Sequence, residues 1–105
     1  MAKKKVSFVS LTKSEKDFIK FLEGTLIPDL EESGSEGYVK DFENGLDFIE
    51  RYEETGWTGT LLVFVRDYLD YLENTIIPDT IESRGRDSGT ARDLKRMAKM
   101  IERRL

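Results

Sequence analysis

Four carboxylates are the residues of this sequence whose type and spacing could do chemistry. Glu50 and Glu53 are three residues apart near the end of one predicted helix, and Asp67 and Asp70 have the same spacing on the next. Residues three apart lie on one face of a helix, so the two pairs could face each other. Mg²⁺ prefers several oxygen ligands of this kind and can activate water. One hypothesis is therefore a Mg²⁺ site with hydrolytic chemistry.

The same four positions loosely resemble the paired acidic motifs of the all-α nucleotide pyrophosphatases. The resemblance covers these positions alone, and Asp67 stands where that family has a glutamate. It implies a Mg²⁺-dependent nucleotide hydrolase. The other interpretation is that the carboxylates are solvated residues on helix surfaces, because a chain with 21 acidic residues produces such spacing easily. We prefer this second interpretation and predict a protein without catalytic activity or cofactor.

Two missing residue types restrict the chemistry further. The 105 residues include no cysteine and no histidine. Disulfides, zinc-thiolate sites and cysteine nucleophiles are excluded, together with the commonest general base and metal ligand of proteins. Di-iron sites of the Glu-x-x-His type are excluded for the same reason. Any catalysis would depend on carboxylates, lysine, arginine, tyrosine or hydroxyl groups.

Two glycine-rich turns, SGSEG from Ser33 and GRDSG from Gly85, precede predicted helices. Exposed N–H groups at a helix start can hold an anion, so the turns are candidates for binding a small ligand or nucleotide. Neither contains the lysine of a phosphate-binding P-loop, and both are also ordinary hairpin turns. The residues that this alternative assigns to the ligand are Ser35, Gly37, Ser88, Gly89 and Thr90.

An internal repeat provides the elements that would position these residues. DFIKFLEGTLIPDLEES at 17–33 matches DYLDYLENTIIPDTIES at 67–83, and after two extra residues GYVKDFENGLDFIER from Gly37 matches GTARDLKRMAKMIER from Gly89. Each copy is predicted to be an αα-hairpin. We therefore expect an all-α fold with one domain at 12–105, in which tandem hairpins at about 12–55 and 60–105 form a four-helix bundle with approximate twofold symmetry. A short extended arm is expected at 1–11.

Apolar spacing indicates which side of each helix faces the core. The first helix should begin at Thr12, where Glu15 completes a capping-box spacing, and end near Gly34. The third should end at Gly85, and the fourth should begin around Thr90. The residues predicted to point inward are, helix by helix, Phe18, Phe21, Leu22, Leu26 and Leu30; Val39, Phe42, Leu46 and Ile49; Leu61, Leu62, Phe64, Val65, Tyr68, Leu69, Leu72 and Ile76; and Ala91, Leu94, Ala98 and Ile101.

A proline interrupts the first long helix of each copy. Pro28 and Pro78 lack the N–H that would bond the carbonyl four residues back, at Gly24 and Asn74. One interpretation is a helix that continues through the proline with a kink. The other is a new short helix, because proline followed by aspartate is also typical of a helix start. We favour the kinked continuous helix in both copies.

Charge is distributed unevenly along the chain. Residues 12–83 contain 18 acidic and six basic residues, whereas residues 84–105 contain eight basic and three acidic ones. The simplest explanation is that the basic fourth helix pairs with its acidic neighbours. Alternatively, the acidic surface mimics nucleic acid or attracts a basic partner, or the basic helix, with Met97 and Met100 beside it, docks on an acidic partner. The residues predicted to pair internally are Arg92, Lys95, Arg96, Lys99 and Arg103.

These patterns favour a small, acidic, non-enzymatic interaction protein, of the kind that a phage or mobile element uses to inhibit a host protein. The assigned contact residues are Glu31, Glu32, Glu43 and Asp47, with Trp57 either an exposed anchor or a cap on one end of the bundle. Direct nucleic-acid binding is disfavoured because the aromatic residues lie in the acidic part.

The apolar segments bear on the oligomeric state of the protein and on whether it associates with a membrane. The third helix has more apolar width than one neighbour covers, which is compatible with a homodimer. The longest strongly apolar run, TLLVFV at 60–65, is far shorter than the roughly 20 residues that cross a bilayer. We therefore expect no membrane association and a cytoplasmic protein.

Overall fold

A computed structural model describes residues 9–105, which form four continuous helices and no β-strand. Helix α1 covers residues 13–32, α2 covers Glu36–Thr55, α3 covers residues 59–84 and α4 covers Gly89–Glu102. None of these helices has the combination of length and apolar character that a bilayer crossing requires. The all-α prediction is confirmed. The predicted extended arm lies, for residues 1–8, outside the described part of the chain.

Helices α1 and α3 each pass through their proline by way of a π-helical segment. In α1, Leu22–Leu26 separates the α-helical segments Lys13–Phe21 and Ile27–Glu32; in α3, Leu72–Ile76 separates Gly59–Tyr71 and Ile77–Arg84. The N–H of Ile27 donates to the Leu22 carbonyl, and that of Ile77 donates to Leu72, five residues back in both cases. A π-helical turn replaces the four-residue hydrogen-bond pattern that a proline interrupts in an α-helix. The prediction of a helix continuing through each proline is confirmed.

The helix ends agree with most of the predicted signals. The Glu15 N–H donates to Thr12 Oγ1 at 3.0 Å and the Thr12 N–H donates to Glu15 Oε1 at 2.9 Å, so the capping box is formed. Gly85 ends α3 with a φ of 97°, a left-handed value that favours glycine. Two boundaries lie one or two residues before the approximate positions that were predicted. Helix α1 ends at Glu32, and α4 begins at Gly89 because the Ser88 hydroxyl accepts the Ala91 N–H at 3.1 Å.

The core is formed by the predicted stripes of α2 and α4 together with one side of α1 and α3. Phe42 and Leu94 are fully buried. Two inward predictions were wrong: Phe21 is 41% exposed and Phe64 is 56% exposed. Each is the chain neighbour of a buried residue, Leu22 and Val65 respectively. Since consecutive helical residues point about 100° apart, both members of such a pair cannot face a narrow contact.

Helices α2 and α4 are tightly packed at Gly45. A Cβ atom at position 45 would lie 2.7 Å from Met97 Cε and 3.0 Å from Tyr68 Oη. Contacts this short require glycine or a displaced neighbour. The Tyr68 hydroxyl donates to the Asp41 carbonyl, which fixes α3 against α2 at the same level. Met97 therefore fills the space that the missing side chain of Gly45 leaves.

Candidate functional site

A strongly charged groove lies between α1 and α2. Its volume is about 580 Å³. The floor is aliphatic, formed by Ile19, Ile27, Leu46 and Ile49, and the rim consists of five carboxylates, Glu23, Glu43, Asp47, Glu50 and Glu53. No lysine or arginine lines it. We call this feature the acidic groove.

Local spacing explains how the acidic groove forms. On α1, Ile19, Glu23 and Ile27 are four residues apart and lie on one side of the helix. On α2, Glu43, Asp47 and Glu50 are spaced four and three residues apart, and each directly follows a residue of the apolar stripe in the sequence. They therefore lie along the edge of that stripe. Where the two helices meet, an aliphatic floor is therefore bordered by carboxylates.

Most of the rim carboxylates have no cationic partner within residues 9–105. Asp47 is the exception, because its Oδ2 atom lies 2.8 Å from Nε of Arg51, and both side chains are about half exposed. An exposed pair of this kind contributes little to stability and exchanges readily for another partner. The groove is chemically suited to hold cationic groups beside an apolar surface.

The predicted partner residues are only partly brought together. Glu43 and Asp47 lie on the rim of the acidic groove. Glu31 lies beside Glu43 in a neighbouring shallow concavity that also includes Glu36, whereas Glu32 lines neither. Glu23, Glu50 and Glu53 complete the rim and were absent from the predicted partner set. Their position beside the apolar stripes of α1 and α2 was the signal that could have identified them.

Trp57 agrees with the predicted buried cap and not with the exposed anchor that was its alternative. Its side chain is 7% exposed, its ring meets that of Tyr52 edge-on at 4.9 Å, and its Nε1 donates to the Phe48 carbonyl at 2.8 Å. A buried indole whose N–H is satisfied internally has no free surface for a partner. Trp57 instead fixes the connection between α2 and α3 against the end of α2.

The four carboxylates with metal-site spacing do not assemble. Within residues 9–105 no three acidic side chains lie close enough together to hold a metal ion. Glu50 and Glu53 belong to the acidic groove, while Asp67 and Asp70 are exposed on α3. Helical spacing brings each pair together, but it does not turn the two helices so that the pairs face each other.

The two glycine-rich turns differ in the groups they present. The Ser35 hydroxyl makes no capping bond to α2; it lies 3.1 Å from the Ser33 hydroxyl and accepts from Nη2 of Arg84 at 3.2 Å. The Ser88 hydroxyl is occupied as the cap of α4, and Thr90 is buried. The predicted residues of the two turns, with Gly37 and Gly89 in the first turns of α2 and α4, therefore do not form a matched pair of sites.

The basic helix α4 pairs with its neighbours less than predicted. Among the described residues, Arg92, Lys95 and Lys99 form no ion pair, and the Nε atom of Arg103 lies 4.0 Å from Glu15. Arg96 donates to Ser14 Oγ at 2.7 Å. The suggestion that Met97 and Met100 help α4 to dock on a partner was wrong, because both are buried in the core.

The shortest ion pair of a buried residue involves Arg104, which was not among the residues predicted from the sequence. Its Nη2 atom lies 2.8 Å from Oε1 of Glu15 and donates to the Ser10 carbonyl at 3.2 Å, while its Nη1 atom donates to the Met100 carbonyl at 2.7 Å. The hydrogen bonds from Arg104 to the Glu15 carboxylate hold the pKa of Glu15 below its usual value, although burial acts in the opposite direction. Arg104 continues the stripe of Ala98 and Ile101 by a further three residues, and a charged residue at that core position was the available signal.

Comparison of the chain with protein-family models, with curated proteins and with solved structures finds no match. The acidic groove is therefore interpreted from its own geometry and charge.

Proposed function

We propose that this chain is a non-enzymatic interaction protein that binds a basic, amphipathic segment of a partner protein in the acidic groove. The observation that carries the proposal is the combination of an aliphatic floor with five rim carboxylates and no basic residue. A helix with lysine or arginine along one edge and apolar residues along another would satisfy both surfaces at once.

The charge of the whole chain supports the same assignment. The chain has a formal net charge of −4, and residues 12–83 hold 18 of its 21 acidic residues. A negative surface attracts basic partners over several ångströms and increases their association rate, and salt screens the effect. Capture of the partner should therefore be fast at low ionic strength and slower in high salt.

The scaffold that we propose is an internal duplication folded as a four-helix bundle. Residues 21–30 and 71–80 have the same order of buried and exposed positions, and each range contains a π-helical segment at the same place. Gly45 and Met97 occupy aligned positions of the repeat and contact each other. These three observations support an approximate twofold axis that passes between α2 and α4.

The biological role that we propose is inhibition of a host protein in the cytoplasm, of the kind that phages and mobile elements employ. An acidic protein acts in this way when it occupies a basic surface that its target needs for another ligand. A homodimer through α3 is a further part of the proposal, since Val63 and Phe64 are more than half exposed. Sedimentation of the wild type and of Phe64→Glu tests that part, and a monomeric wild type would contradict it.

Two matched charge reversals test the acidic groove. Glu50→Lys/Glu53→Lys reverses two exposed rim charges, and Asp67→Lys/Asp70→Lys makes the same change at the same spacing on α3. The probe is a synthetic helical peptide with lysine on one edge and leucine on the other, and titration calorimetry gives its affinity. We expect the groove variant to bind at least about tenfold more weakly, a change of roughly 1.4 kcal/mol.

The control variant separates a site from general electrostatic attraction. We expect Asp67→Lys/Asp70→Lys to change the affinity less than about threefold, because only long-range attraction is reduced. Equal losses in the two variants would contradict the assignment of the groove. Circular dichroism of both variants verifies that the helices are intact.

A further inference from the structure

The acidic groove ends beside the point at which the described chain begins. Glu53, on its rim, also lines a smaller cavity of about 290 Å³ together with Val9, Ser10 and Tyr52. The Val9 N–H donates to the Tyr52 hydroxyl at 3.0 Å, and the Ser10 carbonyl accepts from Nη2 of Arg104 at 3.2 Å. These hydrogen bonds fix the start of the described chain next to the rim of the acidic groove.

The segment that precedes Val9 has the composition that the acidic groove requires. Its sequence is MAKKKVSF, in which three consecutive lysines from Lys3 carry three positive charges and Val6 and Phe8 are apolar. The groove has five rim carboxylates and an aliphatic floor. Segment and groove are therefore complementary in charge, and each also offers apolar surface.

The length of the segment matches the length of the groove. On α2 the rim extends from Glu53 back to Glu43, a distance of about 15 Å along the helix axis. The six residues from Lys3 to Phe8 can span about 20 Å when extended. Since side chains alternate along an extended chain, Val6 and Phe8 would share one side and Lys5 would lie on the other. The lysines can thus reach the far end of the rim.

We propose that residues 3–8 occupy the acidic groove of their own chain when no partner is bound, and that a partner must displace them. The lysine ammonium groups lie against the rim carboxylates, and Val6 lies on the aliphatic floor. Because the segment is joined to the groove through Val9, its effective concentration there is on the order of millimolar, so weak contacts suffice to fill the groove. This inference rests on the function proposed for the acidic groove and adds its regulation by an internal competitor.

A spin label near the start of the segment tests where it lies. The chain has no cysteine, so Ala2→Cys provides a single attachment site for a nitroxide. In ¹⁵N-labelled protein we expect the nitroxide to broaden most strongly the amide signals around Glu43 and Asp47 on α2 and around Glu23 on α1. Signals around Asp67 on α3 should be affected much less. High salt should reverse the broadening, because it screens contacts between exposed charges.

Removal of the lysine charges tests whether the segment competes with a partner. The variant Lys3→Gln/Lys4→Gln/Lys5→Gln should lose the broadening of the groove signals when it carries the same nitroxide. It should also bind the lysine-and-leucine helical peptide at least about threefold more tightly than the wild type, because its groove is no longer occupied for most of the time. Titration calorimetry gives both affinities.

A matched control separates this competition from a change in net charge. Arg92→Gln/Lys95→Gln/Lys99→Gln removes three positive charges from α4, where these side chains form no ion pair among the described residues. We expect its affinity for the peptide to differ from that of the wild type by less than about twofold, because only long-range attraction changes. An equal gain in the two triple variants would overturn the inference.

The remaining outcomes distinguish this inference from the function proposed above. Peptide binding by a wild type whose groove signals are not broadened would overturn the inference alone. Broadening of the groove signals that is lost in Glu50→Lys/Glu53→Lys, in a protein that does not bind the peptide, would support the inference and contradict the proposed function. Broadening between molecules, seen when spin-labelled protein without ¹⁵N is mixed with ¹⁵N protein without the nitroxide, would overturn occupation of the chain's own groove.

Discussion

Arg104 and Glu15 form a bidentate ion pair that joins the last turn of the chain to its first helical turn. Nη2 of Arg104 lies 2.8 Å from Oε1 of Glu15, and Nη1 lies 3.2 Å from Oε2. The two residues are 89 positions apart in the chain and both are buried. Because Glu15 also completes the capping box of α1, one carboxylate both starts this helix and holds α4 against it.

Removal of one partner of this pair should destabilise the fold strongly. Glu15→Gln leaves the buried Arg104 charge without its counterion and weakens the capping box. We expect a loss of about 3 kcal/mol in the free energy of unfolding at neutral pH, measured by urea denaturation. Glu15→Gln/Arg104→Met removes both partners and should recover part of that loss, because no isolated charge remains. A single variant as stable as the wild type would show that the pair contributes nothing.

The same pair predicts how stability depends on acid. The pKa of Glu15 is held below its usual value in the folded protein, chiefly by the hydrogen bonds from Arg104. The pair therefore stabilises the fold at neutral pH, and this contribution is lost as the pH falls through the lowered pKa of the folded state. The stability difference between wild type and Glu15→Gln should be largest near pH 7 and should shrink below about pH 4. A difference that is constant with pH would contradict this account.

Asp41 should show the opposite dependence. Burial raises its pKa in the folded protein, so the protonated form fits the fold better than the charged form. Its favourable contribution is present at low pH and is lost as the pH rises through the raised pKa. Asp41→Asn should therefore raise the melting temperature at pH 7 and leave it unchanged near pH 3, below the usual aspartate pKa of about 3.9. Exposed Asp70→Asn is the control and should have little effect at either pH.

The tight packing of α2 against α4 predicts that alanine substitutions at two glycines of α2 will have different effects on stability. Gly45→Ala places a methyl group against Met97, which is fully buried, and against the Tyr68 hydroxyl. We expect a loss of about 1–2 kcal/mol, as for overpacking elsewhere. Gly37→Ala, also in α2, meets no atom within 4 Å and should be neutral or slightly stabilising.

A double-mutant cycle assigns the cost to this contact. In a Met97→Ala background, Gly45→Ala should cost much less than it does in the wild type, because the atoms it would meet are gone. Thermal unfolding followed by circular dichroism gives the four stabilities. An unchanged cost would indicate that Tyr68 or the backbone, and not Met97, limits the space.

Much of the fold could be predicted because its signals are local. The capping box at Thr12 involves two residues that are three apart in the chain. At Pro28 and Pro78 only one backbone hydrogen bond is lost, so the rest of each helix can continue. The candidate site was harder to predict. Glu43 and Asp47 were identified by charge alone, whereas Glu23 on α1 joins them only because two helices meet at a particular rotation.

The amino-acid sequence by itself determined where helices form and which stripe of α2 and α4 is buried, since hydrogen bonds and apolar periodicity act over about one helical turn. Tertiary structure alone decided that Arg104 meets Glu15, that Trp57 turns inward and that, within residues 9–105, the Asp41 carboxylate forms no ion pair. These outcomes depend on the relative rotation of whole helices. Many side chains determine that rotation together, and no short spacing in the sequence encodes it.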